Sequence, residues 1–116
     1  MMAINSKAKG RAGEQEAARF FRQYGYDTRR GQQYNGADGS ADVVGLDDIH
    51  LEIKRVERLN ISDAMQQSIR DARDGEIPVV MHRKNNEPWY ITMQAEAWVE
   101  LYTEWRSGKM LDSQGA

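Results

Sequence analysis

The 116-residue sequence contains no cysteine. That excludes disulfides and thiolate zinc sites, and it is compatible with a reducing compartment. Histidine is nearly as scarce: His50 and His82 are the only two, so a multi-histidine metal centre is not expected. No stretch approaches the ~20 consecutive apolar residues of a membrane-spanning helix. The opening MMAINSKAKGRAG lacks an apolar run, so neither a secretory signal nor a membrane anchor is expected, and the reading is of a cytoplasmic protein. An excess of positive charge is missing too. Sixteen basic residues face eighteen acidic ones, for a net charge of −2, which is not the profile of a protein that holds nucleic acid by bulk charge. Internal repeats and low-complexity stretches are absent. The length suits one domain, read as residues 1–106 with a frayed tail over 107–116.

Hydrophobic periodicity supplies the elements. Ala17, Ala18, Phe21 and Tyr24 recur at three- and four-residue spacing, predicting a helix over about Lys9 to Tyr24 that Gly25 ends in the left-handed conformation. Glu14 falls at the edge or middle of this apolar face, an odd place for a carboxylate without a partner. Glu16 is rotated away and reads as solvent-exposed. An extended piece over Asp27 to Gln32 and a glycine-rich loop, YNGADGSAD, follow. Asp42 to Leu46 and Ile49 to Val56 read as two strands joined by a tight turn. Ser62 is expected to cap a helix through about Arg73, with Ile61, Met65, Ile69 and Ala72 inside and Gly75 as its stop. Strands over Ile77 to His82 and Trp89 to Thr92 precede a helix over Gln94 to Trp105 that buries Trp98, Leu101, Tyr102 and Trp105. The expected fold is α/β: one domain in the order α-β-β-β-α-β-β-α, with a mixed central sheet flanked by helices.

The chemistry concentrates on the two central strands. Alternation places His50, Glu52 and Lys54 on one face and Leu51 and Ile53 on the other. Setting Val43 against Leu51 puts Asp42 across from Glu52, with Cβ atoms about 4.5–5.5 Å apart. This register calls for a three-residue connection, Leu46 to Asp48. Two opposed carboxylates repel each other unless something positive lies between them. A hard divalent cation such as Mg²⁺, which needs one or two carboxylates plus waters, resolves the conflict. Lys54, two residues on, can reach a phosphate oxygen. Glu14 joins the group if its helix covers the Asp42 side of the sheet. Three carboxylates and an ammonium around a metal suit attack on a phosphodiester. The plainer account is that Glu52 and Lys54 are polar residues on a solvated strand face.

Three segments in order carry a resemblance: Lys9-Gly10-Arg11-Ala12-Gly13-Glu14, Gly39-Ser40-Ala41-Asp42-Val43-Val44, and Leu51-Glu52-Ile53-Lys54. Over residues 9 to 55 the chain resembles the PD-(D/E)xK nuclease superfamily, and within it the small Holliday junction resolvases of archaea and phages. Ala41 stands where that family has proline. The resemblance implies a restriction-endonuclease-like fold in a bacterial, archaeal or phage-encoded protein. It implies Glu14, Asp42 and Glu52 as metal-side acids, the Ile53 backbone carbonyl as a further metal ligand, and Lys54 as the catalytic lysine. Mg²⁺ is the implied cofactor, with Mn²⁺ as a substitute. Four-way DNA junctions are the implied substrate, and symmetric cutting implies a homodimer. A repair or restriction-like nuclease acting on duplex or flap DNA is an alternative, as is a non-catalytic DNA-binding module of the same fold.

Lys9, Arg11, Arg29 and Arg30 flank the candidate site and could hold phosphates, although solvent exposure explains each one singly. Ser40 resembles a family serine near the scissile phosphate, or else bonds its own loop backbone. Arg55 is read as a salt bridge or packed stem. In the second helix Gln66 borders the buried face and Gln67 points away, which favours Gln66 as the glutamine related nucleases often use there. His82 reads as structural or surface, and His50, near the turn, is set aside. Trp98 and Trp105, seven apart on one helix face, suit core packing or a dimer seam.

Overall fold

A computed structural model of the protein describes residues 6–31 and 41–114. Ser40 and most of the glycine-rich loop lie outside the described residues. Three helices and five strands follow the expected order: α1 (Ser6–Arg22), β1 (Arg29–Arg30), β2 (Val43–Val44), β3 (Ile49–Arg55), α2 (Ile61–Asp71), β4 (Ile77–Arg83), β5 (Tyr90–Met93) and α3 (Ala95–Gln114). The strands form one mixed sheet in the spatial order β1-β2-β3-β4-β5. Only β3 and β4 run parallel, and α2 connects them. The other pairs are antiparallel.

The β2–β3 register is the expected one, Val43 against Leu51. Gly45 makes the turn between them possible. Its φ is +116°, and a Cβ there would lie 2.4 Å from the Asp27 carbonyl oxygen, so no side chain fits. Val43, Leu51, Ile53, Val79 and Met81 form one face of the sheet and pack on Ala17 and Ala18 of α1. Leu51 and Met81 are fully buried, and each contributes about 1.5–3 kcal/mol by leaving water. Small residues let α1 lie close: Gly13 is buried, and a Cβ on it would sit 3.1 Å from the Arg55 Cβ. Thr28 Oγ1 donates to the Ala18 carbonyl at 2.7 Å and ties β1 to the same helix. Gly25, at φ +95°, follows α1 as expected, whereas Tyr24, expected inside, is exposed.

The opposite face of the sheet receives α2, and here the expected phase is wrong by about one residue. Asn60, not Ser62, is the N-cap, accepting from the Asp63 N–H. The buried positions are Ala64 and Ser68, while Ile69 is exposed. Close approach to a sheet selects small side chains over large ones, and Ser68 Oγ donates to the Val79 carbonyl at 3.1 Å. The helix ends at Asp71, so Gly75 lies beyond it in the turn before β4.

The largest departure is α3. It continues to Gln114 through the stretch read as a frayed tail, and none of its residues is buried. Trp98, Leu101, Tyr102 and Trp105, expected in the core, are exposed. The sheet already has α1 on one face and α2 on the other, and α3 meets it only at the margin, where Glu100 and Leu101 line a cavity together with Ile49 and Ile77. No helix among the described residues is long and apolar enough to cross a membrane.

Candidate metal and phosphodiester site

The site is built around Asp42, which three hydrogen bonds fix at the start of β2. Its N–H donates to the Leu51 carbonyl and its carbonyl accepts from Gly31 N–H, both at 2.9 Å. Its Oδ2 accepts from the Ile53 N–H at 2.9 Å, so the carboxylate continues the β3 ladder where β2 ends. The N–H and C=O of a strand residue point to the same side. The Ile53 carbonyl therefore also faces the Asp42 edge, as its expected role requires.

Register and alternation set Glu52 opposite Asp42. Glu52 is 2% exposed. The pKa of Asp42 is raised from 3.8 to about 7, first by burial and next by the charge of Glu52. The Ile53 N–H opposes the rise, while Glu14 and a hydrogen bond with Glu52 add to it. Asp42 thus feels both other carboxylates and holds its proton far more tightly than a free carboxyl does. Crowded oxygen donors of this kind, with charge to spare, fit a hard divalent cation.

Glu14 arrives by a different route from the one anticipated. The helix α1 covers the apolar Leu51–Ile53 face rather than the Asp42–Glu52 face, so Glu14 acts on Asp42 from beyond it. Its Oε1 accepts from Arg30 Nε at 3.0 Å. Arg30 is therefore a partner of a site carboxylate rather than a free phosphate contact. Lys9 and Arg11 lie within α1, with Arg11 exposed. Arg29 is exposed on β1. Glu16, expected in solvent, is partly buried and pairs with Arg83 and with Arg55, whose Nε lies 3.1 Å away but off the N–H direction.

Lys54 occupies the expected strand face, and its Nζ donates to Gln67 Oε1 at 3.2 Å. Gln66 is exposed. The one-residue error in helix phase accounts for the exchange: with Ala64 and Ser68 inside, Gln67 flanks the buried stripe.

Sequence reasoning also passed over His50. It is fully buried, and its Nε2 lies 2.8 Å from Glu52 Oε1. Among the described residues its Nδ1 has no hydrogen-bond partner and is 3.8 Å from Glu76 Oε1. Burial lowers the His50 pKa, but the hydrogen bond and charge of Glu52, with Glu76 and Asp71, more than offset this and leave it raised above 6.5. His50, Glu52 and Asp71 each offer a ligand atom within 4.8 Å of the others. This mixed set is the convergent donor group among the described residues; Glu14 and Glu52 act on the charge of Asp42, but these three carboxyls do not bring three ligand atoms within the same span. The signal was available in the sequence, since alternation sets His50 on the Glu52 face two residues away. No family model matches the chain, and no curated protein matches it closely enough to count as a relative.

Proposed function

We propose that this protein is a divalent-cation-dependent endonuclease of the PD-(D/E)xK kind, with a restriction-endonuclease-like core, that hydrolyses phosphodiester bonds in branched DNA and resolves four-way junctions. One observation carries the reading: Asp42 and Glu52 are opposed on neighbouring strands, Asp42 is pushed up to about 7 by burial and by the carboxylates around it, and Lys54 follows Glu52 on the same strand face. Structural carboxylates seldom accept such an environment without a cation. Asp42, Glu52 and Glu14 would hold Mg²⁺ or Mn²⁺, with the Ile53 carbonyl at the same edge. The ion would supply the charge and water activation that phosphodiester hydrolysis needs.

The chain's own groups have distinct tasks. Ile53 N–H and the backbone of Asp42 fix the direction of the Asp42 carboxylate. His50 holds Glu52 Oε1, and Arg30 holds Glu14. Lys54, steadied by Gln67, presents its ammonium to a phosphate oxygen. Lys9, Arg11 and Arg29 contact flanking phosphates.

The test is cleavage of a labelled four-way junction beside a linear duplex of the same sequence, with Mg²⁺ and with chelator, by wild type and Asp42→Asn. Paired, metal-dependent nicks confined to the junction and lost in the variant are expected. Equal cutting of both substrates would keep the nuclease and discard the junction preference. Absence of cutting by folded wild type with either metal would leave a binding module.

A further inference from the structure

Three donors converge where the end of α2 meets β3, and Glu52 is the one they share with the Asp42 site. His50 and Glu52 lie two residues apart on one strand face, and both are buried. His50 Nε2 and Glu52 Oε1 are 2.8 Å apart. Asp71, the last residue of α2, brings a carboxylate to the same place. One ligand atom from each of the three residues lies within 4.8 Å of the other two. Ligand atoms on one tetrahedral zinc stand about 3.4 Å apart, given bonds of about 2.0–2.1 Å. Closure asks for little more than a side-chain turn at Asp71, which is only partly buried.

Left to itself the group is poorly balanced. Among the described residues Glu52 has His50 as its ion-pair partner and no lysine or arginine. The basic partner of Asp71 is Arg70, which is 70% exposed and stands 4.0 Å away. Asp71 also closes a helix, the end at which the dipole disfavours a carboxylate. His50 Nδ1 is buried and has no hydrogen-bond partner among the described residues. A divalent ion at Nε2 answers each of these. Two carboxylates cancel its charge, and a neutral imidazole ligates with its proton on Nδ1. That N–H then has Glu76 Oε1, 3.8 Å away, as its nearest acceptor. The same oxygen accepts from the Arg73 N–H at 2.8 Å, which holds it in position. Histidines that bind metals commonly donate their other ring N–H to a carboxylate in this way. The nitrogen donor also selects the ion. Imidazole with carboxylates suits Zn²⁺, whereas Mg²⁺ prefers oxygen and keeps several waters, for which the enclosed His50–Glu52 pair leaves little room.

We infer that His50, Glu52 and Asp71 form a Zn²⁺ site that fastens the end of α2 to β3, with Glu76 orienting the imidazole. The inference does not rest on the nuclease reading: Asp71 and Glu76 have no part in it, and the readout is ion binding rather than cleavage. The test is calorimetric titration of the full chain with Zn²⁺ in a buffer that holds millimolar Mg²⁺, which occupies any all-oxygen site. The expected result is one Zn²⁺ per chain. Asp71→Asn should weaken binding by more than about tenfold, and Asp42→Asn should leave it within about threefold of wild type. Absence of Zn²⁺ binding, binding that Asp71→Asn does not weaken, or binding lost in Asp42→Asn would each overturn the proposal. Ring-nitrogen NMR of the wild type tests the ligand without any substitution, since the chain has two histidines and no cysteine to compete. Zn²⁺ should move the His50 Nε2 resonance into the metal-bound range and leave His82 in place. A shift at His82 alone, or at neither ring, would refute the site.

Discussion

At the scale of single residues, Asp42 and His50 together tie stability to pH. Both have folded-state pKa values above their ordinary ones, so the folded protein binds these protons more tightly than the unfolded chain does. For Asp42 the contribution is fully present below 3.8 and is lost as pH rises through about 7. For His50 it is present below 6.5 and is lost as pH rises through the higher folded value. The expected outcome is a metal-free protein that melts at lower temperature at about pH 8.5 than at about pH 6. Asp42→Asn should flatten this dependence, because an amide oxygen can still accept from Ile53 N–H and carries no charge. At the higher pH the variant should be more stable than wild type by about 1–3 kcal/mol in chelator. Scanning calorimetry of both proteins at the two pH values, with and without Mg²⁺, checks this. A wild type whose melting temperature rises between those pH values would remove the crowded-carboxylate account.

At the scale of elements, legibility followed what each side chain packs against. The β2–β3 pair was readable because Val43, Leu51 and Ile53 alternate strictly with Asp42 and Glu52, and a slip of one residue would bury the carboxylates in the apolar layer. The phase of α2 was not readable from hydrophobicity. Its contact with the sheet is made by Ala64 and Ser68, small residues that signal closeness rather than apolar weight, so the stripe of Ile61, Met65 and Ile69 misled by about a hundred degrees. The contact of α1 with β3 has the same character. Gly13 stands where α1 crosses Arg55, one residue before Glu14. Gly13→Val should force the helix outward, lower stability by about 1–3 kcal/mol, and carry Glu14 away from Asp42. Cleavage should then fall by more than the loss of folded protein explains, as judged from activity per folded molecule by urea titration. Activity falling only in step with folding would mean that Glu14 does not depend on this contact.

At the scale of the whole molecule, the sequence was legible where one chain completes its own packing and illegible where it does not. The aromatic stripe of α3 promised a core, yet Trp98, Leu101, Tyr102 and Trp105 stay exposed, because a stripe's periodicity records its apolar chemistry and not whether the same chain supplies a surface for it. Charge is likewise a property of the whole. If the proposed function holds, a net charge of −2 and the site carboxyls would repel DNA where the scissile phosphate must sit, while Arg30 is engaged by Glu14 and Arg55 and Arg83 by Glu16. On that reading a divalent cation would reverse the sign at that point. Binding as well as cleavage should therefore require it. For the Lys54→Ala variant, which keeps the carboxylates but lacks the ammonium that faces the phosphate, fluorescence anisotropy should give junction affinity at least tenfold tighter in Mg²⁺ than in chelator at matched ionic strength, a difference of about 1.4 kcal/mol. The gain should vanish in Asp42→Asn with Glu52→Gln, where nothing holds the ion. Equal affinity with and without the metal would place the DNA away from these carboxylates and detach the binding surface from the proposed site.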